Sequence, residues 1–343
     1  MKVRGVIEGF YGEPWSHDER LNLLEFCGRV GLTTWVHAPK DEPYHRKLWR
    51  DPYPDGELER LAELVREADR HGVEFVWAVA PGLSVCYSNE GEYAALARKC
   101  EGLRGVGVRN FQLLWDDIEP ELRHPGDRER YGGEASPSAA AHAEFSNRFR
   151  EEFLGGGPLV VCPMGYAGAG PTPYRDTFGR LLDPQVVVYW TGPEVVPETI
   201  TREQLDGAAE AFDHELLLWD NYPVNDFDPG RLFLGPLLGR DPLLLGGRLT
   251  GMVANGMVQA VPSKLALATV ADFARDPAAY DAAASYERAL REHGAEVVAA
   301  LRLLAPEQAP DGIAPPADVR TLIEVLAPGV DAVTALVLLA PFV

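Results

Sequence analysis

One alternation, repeated along most of the chain, constrains the fold more than any other feature. A short β-rich run ends in a turn, an amphipathic helical pattern generally follows, and another β-rich run begins. The runs lie near Arg4–Glu8, Thr33–His37, Glu74–Ala78, Asn110–Leu114, Leu159–Cys162, Val186–Tyr189, Leu216–Leu218 and Gly251–Ala254. Helical patterns occupy about Asp18–Val30, Gly56–His71, Gly91–Leu103, Ser138–Glu152, Tyr174–Leu182, Ile200–Ala211 and Ser263–Asp272. In the second of these, Leu58, Leu61, Leu64 and Val65 recur at the spacing of a buried stripe. Eight strands alternating with helices over about 275 residues predict an α/β chain folded as a closed (β/α)8 barrel of the TIM type.

A doubly wound open sheet is the rival architecture. It calls for a glycine-rich turn after the first strand that opens a helix, with backbone free to approach a pyrophosphate. Here that turn reads Gly9-Phe10-Tyr11-Gly12-Glu13-Pro14-Trp15, and its aromatics and proline block such an approach. The glycine run 155–157 precedes a strand and reads as a loop. After about Pro277 the pattern changes to a long Ala/Leu/Glu/Arg helix, Ala278–Ala305, then a proline-rich linker, Pro306–Pro316, and a second helical stretch, Ala317–Leu326. The expected organisation is a catalytic barrel over residues 1–277 and a small C-terminal helical appendage over 278–343.

With 46% apolar residues the chain can build its core without disulfides or a structural metal. Cys27, Cys86, Cys100 and Cys162 are scattered, with no Cys-x-x-Cys pair and no histidine at zinc-site spacing. The carboxylates near His37 and His45 lack convergent spacing, so no metal is expected; no cofactor is expected either. A net charge of −20, from 52 acidic and 32 basic residues, argues against nucleic acid as a partner. The first residues run straight into a strand pattern rather than a signal peptide. The apolar tail Thr334–Val343 is too short for a membrane span and contains Pro341. A cytoplasmic chain with no membrane partner is the expectation; the oligomeric state is not legible.

In such barrels chemistry gathers at the C-terminal ends of the strands. Along that rim the sequence places Gly9-Phe10-Tyr11-Gly12, Ala38-Pro39-Lys40-Asp41, Pro81-Gly82, Trp115-Asp116-Asp117 and Pro163-Met164-Gly165-Tyr166. Trp190-Thr191-Gly192, Trp219-Asp220-Asn221 through Asn225-Asp226, and Asn255 follow. Tryptophan faces suit the apolar side of a pyranose, and Asn, Asp and Lys suit its hydroxyls, so Trp115, Trp190 and Trp219 are read as part of a sugar site. Asp116-Asp117 is the sharpest feature, although an acid pair can also be a cap or a solvated turn. Adjacent carboxylates in a dry pocket favour keeping a proton on the pair, and glycoside cleavage needs an acid for the leaving oxygen. Consecutive strand residues face opposite ways, so both reach one pocket only if the strand ends at Trp115 and the chain turns there. Trp15 and Trp49 read as packing residues, Tyr11 as support for the pocket wall, and Cys162 as a buried small apolar residue. Glu8 and Asp220 read as groups that hold site neighbours in place.

Several motifs, in order, resemble glycoside hydrolase family 84, the O-GlcNAcase and β-N-acetylglucosaminidase family. They are Gly5-Val6-Ile7-Glu8-Gly9-Phe10-Tyr11-Gly12-Glu13-Pro14-Trp15-Ser16, Ala38-Pro39-Lys40-Asp41-Glu42-Pro43-Tyr44-His45-Arg46, Asp116-Asp117-Ile118 and Trp190-Thr191-Gly192. Trp219-Asp220-Asn221-Tyr222-Pro223-Val224-Asn225-Asp226 and Arg231-Leu232-Phe233-Leu234-Gly235-Pro236 complete a resemblance over about residues 3–275. It implies a retaining, substrate-assisted exo-β-N-acetylglucosaminidase. Asp116 would polarise the substrate's acetamido group, whose oxygen attacks the anomeric carbon to form an oxazoline. Asp117 would protonate the leaving oxygen and then activate water. The resemblance further implies that Gly9 and Lys40 contact sugar hydroxyls and that Tyr166 and Trp219 lie at the acetamido pocket. Asn221 would help to hold the sugar, Asp226 its outer hydroxyls and Asn255 another hydroxyl. Three departures stand out: Met164-Gly165 where the family commonly has Thr-Glu, Gly256 where it has proline, and His37 where it has tyrosine. The implied substrate is a glycoside or glycoprotein carrying N-acetylglucosamine. Alternatives are hyaluronan- or chitin-type acetamido oligosaccharides, or a sugar-binding barrel without turnover.

Overall fold

The computed structural model describes residues 1–304 apart from Leu245. Eight parallel strands close into a barrel in sequence order: β1 (Val3–Glu8), β2 (Thr34–His37), β3 (Glu74–Val79), β4 (Asn110–Leu114), β5 (Val160–Cys162), β6 (Val187–Trp190), β7 (Leu216–Asp220) and β8 (Leu249–Asn255). β1 pairs with both β2 and β8, which seals the ring. Around it lie α1 (His17–Val30), α2 (Asp55–Arg70), α3 (Glu90–Gly105), α4 (Pro125–Tyr131), α5 (Pro137–Arg148), α6 (Pro173–Leu181), α7 (Arg202–Phe212) and α8 (Ala260–Arg275). Among the described residues, no helix is long and apolar enough to cross a membrane.

Strand side chains alternate between two apolar layers. Ile7, Val36, Val76, Ala78, Leu114, Tyr189, Leu217 and Val253 pack together inside the barrel. Val6, Trp35, Trp77, Leu113, Val188, Leu218 and Met252 point the other way, into the larger core shared with the helices. Two steps along the inward row from Ile7, Leu114, Leu217, Trp219 and Val253 stand Gly9, Asp116, Trp219, Asn221 and Asn255. The same step from Ala38 reaches Lys40. The period of two thus delivers the interior row of each strand to one mouth.

Helix ends follow local chemistry. Ser16 and Glu19 form a capping box on α1, and Gly31 closes that helix with φ 83°. Thr201 and Gln204 do the same for α7. This helix starts at Arg202 rather than at Ile200, because Ile200 bridges to Arg240. The pattern read as one helix over 138–152 is α5 followed by a π-helical turn, Phe149–Phe153. α4 is too short to carry a readable period and was not anticipated. Trp190, Asp220 and Asn255 terminate strands instead of opening loops, since each strand reaches further than its apolar run. Between β7 and β8 the chain makes a long excursion that includes a 3-10 turn, Pro242–Leu244, and the bridge of Arg240 to Ile200.

Beyond the barrel, α9 (Ala282–Leu304) lies on α8. Its Tyr286, Ala289, Val297 and Leu301 share a cluster with Leu232, Leu234, Met257 and Leu265, and Glu296 pairs with the buried Lys264 at 2.5 Å. The linker and the second helical stretch expected after residue 305 lie outside the described residues.

Candidate active site

A cavity of about 290 Å³ opens at the C-terminal mouth of the barrel, near the lower end of the about 300–1,000 Å³ typical of small-molecule sites. The residues to which the family resemblance gives roles all line it: Gly9, Lys40, Asp116, Asp117, Tyr166, Trp219, Asn221, Asp226 and Asn255. Tyr11, Cys162, Thr191, Val195, Val196, Val224 and Phe227 complete the wall.

The two acids have different surroundings. Asp116 continues the inward row of β4 and is buried; its Oδ2 pairs with the buried Lys40 ammonium, which also lies 5.3 Å from the Trp219 ring centre. Its Oδ1 is buried and meets no donor among the described residues. Asp117 would by alternation face the helix layer. Instead β4 ends at Leu114, the ladder to β5 makes one more bond from Trp115 N–H to the Cys162 carbonyl (2.8 Å), and Asp117 adopts φ 54°. That left-handed residue turns the chain and brings its carboxylate round to the cavity mouth. There Oδ2 accepts from the Tyr11 hydroxyl (2.7 Å) and Oδ1 from the Tyr166 hydroxyl (2.8 Å). Burial, reinforced by the neighbouring Asp117 carboxylate, pushes both phenols well above their ordinary range, so they remain donors. The pair therefore meets no common environment: one acid has a cation, the other two phenols.

The opposite wall is knit around Asn221. Its Oδ1 accepts from Trp219 Nε1 (3.0 Å) and Asn255 Nδ2 (3.0 Å), while its Nδ2 donates to the Val195 carbonyl (2.7 Å). Asn255 Oδ1 in turn accepts from Gly9 N–H (3.1 Å), and Asp226 Oδ2 from Tyr11 N–H (2.8 Å). Gly9 has to lack a side chain: a Cβ there would stand 2.4 Å from Trp219 Cζ2. Asn221 thus spends its oxygen on orienting Trp219 and Asn255.

A family model described as beta-N-acetylglucosaminidase matches residues 4–306. The chain is 35% identical over 275 residues to Protein O-GlcNAcase of Rattus norvegicus and, equally, of Mus musculus; each alignment covers 78% of this chain and 29% of the relative. It belongs to the β-N-acetylglucosaminidase family, glycoside hydrolase family 84. It spans less than a third of the length of those curated relatives. Among solved structures, an O-GlcNAc hydrolase mutant of Thermobaculum terrenum superposes with TM-score 0.82 at 32% identity, covering 95% of this chain and 71% of that one. A structure described as CpGH84B gives TM-score 0.78 at 32% identity, covering 99% and 61%.

The departures from the β-N-acetylglucosaminidase family pattern flank the cavity and do not line it. His37 faces the helix layer, stacked on Phe75 and 3.8 Å from Glu8. Gly165 offers its carbonyl to Arg175, and Met164 N–H donates to Tyr174 (3.0 Å). Gly256 is enforced locally, since a Cβ would meet Trp15 at 2.6 Å.

The reading of the rim tryptophans as a sugar platform needs correction. Only Trp219 faces the cavity. Trp115 and Trp190 have outward parity and are fully buried, Trp115 stacked on His142 and Trp190 donating to the Gly168 carbonyl at 2.8 Å. Glu8 and Asp220, also outward, clamp loops rather than cavity residues: Glu8 holds Trp15 N–H and Arg20, Asp220 holds Arg240. Tyr11, assigned to wall support, also grips Asp117. Arg46, Val195, Val196 and Phe227 were not singled out. The only signals available were Arg46 closing the Ala38–Arg46 motif and two valines in a proline-bounded loop.

Proposed function

We propose that the chain hydrolyses terminal β-linked N-acetylglucosamine with retention, using the substrate's own acetamido oxygen as nucleophile. The observation that carries this reading is the Asp116 carboxylate. One oxygen is committed to Lys40, and the other is a buried acceptor without a donor. Leaving such an acceptor unmet costs about 1–3 kcal/mol. An amide N–H brought by the ligand would satisfy it and would set the acetamido oxygen beside the anomeric carbon, a nucleophile that a sugar with only a 2-hydroxyl does not carry.

In the first step the acetamido oxygen attacks the anomeric carbon as the bond to the leaving oxygen breaks. Asp116 accepts the hydrogen bond of the amide N–H and draws off its developing positive charge; Asp117 delivers a proton to the departing oxygen. In the second step Asp117 takes a proton from water, which attacks the anomeric carbon and reopens the oxazoline to the N-acetyl sugar. A polariser beside an acid suits this route, whereas two carboxylates across the bond suit a direct displacement. Trp219 supplies an apolar wall, and Lys40, Asp226 and Asn255 supply polar contacts to the ring. Asn221 keeps Trp219 and Asn255 in place. A glycoprotein bearing N-acetylglucosamine is the proposed substrate class.

The test is turnover of aryl N-acetylglucosaminides with graded leaving groups, beside the galacto epimer and the glucoside without the acetamide. Asp117→Ala is expected to lose most activity on poor leaving groups, about 10²–10⁴-fold, and to retain much of it on highly activated ones. Asp116→Asn should cripple all of them. Hydrolysis of the plain glucoside at a rate matching the acetamido sugar would overturn the substrate-assisted reading.

A further inference from the structure

We infer that Arg46 is a positioning residue for the proposed acid Asp117; this rests on the reading above. Arg46 is buried, and the partners recorded for its guanidinium are a phenol and a main-chain carbonyl. Nη2 donates to the Asp117 main-chain carbonyl (2.8 Å), and Nη1 donates to the Tyr11 hydroxyl (2.5 Å), which in turn donates to Asp117 Oδ2 (2.7 Å). One planar fork thus holds both the backbone and, through a phenol, the side chain of the same residue.

Both contacts address a specific difficulty. Asp117 needs φ 54° to bring its carboxylate to the cavity, a conformation strained for a non-glycine residue that persists only when its surroundings over-determine it. The bond to the carbonyl pins that turn. The bond to Tyr11 commits the phenol's lone pair, so its proton points at Asp117. The same fork lies 5.6 Å from the centre of the Tyr11 ring, which limits that ring's movement as well.

The loop that carries Arg46 is anchored by bonds outside the site. His45 Nδ1 lies 2.8 Å from the Ala78 carbonyl, Ala80 N–H donates to the His45 carbonyl (3.1 Å), and Lys99 Nζ donates to the carbonyls of Tyr44 (2.6 Å) and Leu48 (3.3 Å). The same loop carries Lys40, the partner of Asp116. One connection therefore addresses both acids, Lys40 by charge at a carboxylate oxygen and Arg46 by shape at a backbone turn.

The experiment compares kcat/KM of wild type, Arg46→Met and Arg46→Lys across the leaving-group series, with crystal structures of the variants. Arg46→Met is expected to lose about 10- to 100-fold on poor leaving groups, a share of the about 10²–10⁴-fold a placed acid provides, and under 3-fold, roughly, on highly activated ones. Arg46→Lys keeps charge and stem but not the fork, and should fall between. Added guanidinium ion should recover part of the loss in Arg46→Ala. An equal loss for every leaving group would make Arg46 merely structural and overturn the inference. Absence of turnover in the wild type would instead sink the proposed function. The crystal structures then decide the inference alone, since Asp117 unmoved, with its Tyr11 bond intact in Arg46→Met, overturns it.

Discussion

Asp116 and Asp117 differ by one position in sequence and by one backbone angle in consequence. Asp116 is where alternation puts it, two positions beyond the inward Leu114. The turn at Asp117 could only be stated as a condition, because no local signal distinguishes an aspartate at φ 54° from one that continues a strand. The same holds for Gly9. Its place at the rim was legible, but the reason it must be glycine is Trp219, far along the chain. Gly9→Ala is expected to force the Trp219 ring aside, destabilising the protein by about 1–3 kcal/mol and raising KM for the acetamido sugar. A thermal melt and a substrate titration check this; an unchanged melting temperature with unchanged KM would remove the close-approach argument.

Strands and loops were unequally legible. Strand positions came through because the strand runs are rich in apolar and β-branched residues, even though polar groups such as the buried Gln112 and Thr34 interrupt the interior rows. The connections did not: Val195 and Val196 before α7, and Phe227 between β7 and β8, reach the cavity by paths no periodicity describes. These loops are held from behind. Asp220 binds Arg240 through two bonds of 2.7 and 2.8 Å, and Arg240 also donates to the carbonyls of Glu198 and Leu238, tying the two connections together. Asp220→Ala would leave that guanidinium buried without its carboxylate, which costs about 3–5 kcal/mol. Chemical denaturation should show the loss, and a shift below about 1 kcal/mol, the ceiling for an exposed pair, would mean the pair is not the anchor described here.

For the molecule as a whole, buried neutral histidines set a pH dependence. Burial lowers His142 to about 3, and lowers His37 and His45 well below the usual imidazole range. In the unfolded chain all three take up protons near the ordinary value of about 6.5. Between about 6.5 and about 3 the unfolded chain therefore binds more protons, so this contribution to stability is present above that window and is lost as pH falls through it. His142 sits between the Tyr174 and Tyr87 hydroxyls at 2.8 and 2.9 Å, flat against Trp115. His142→Gln is expected to lower stability at neutral pH and to flatten the fall of melting temperature with acidification; an identical slope in the two proteins would contradict this origin. The sequence by itself determined the barrel, because hydrophobic period is a property of neighbouring residues; which rim side chains turn inward it did not, as the buried Trp115 and Trp190 show. Only the tertiary structure decided which acid receives the lysine and which the two phenols. Those partners come from different strands of a closed ring, whose closure brings Gly9 N–H to Asn255 across 246 positions of sequence, and no local pattern encodes which exits meet.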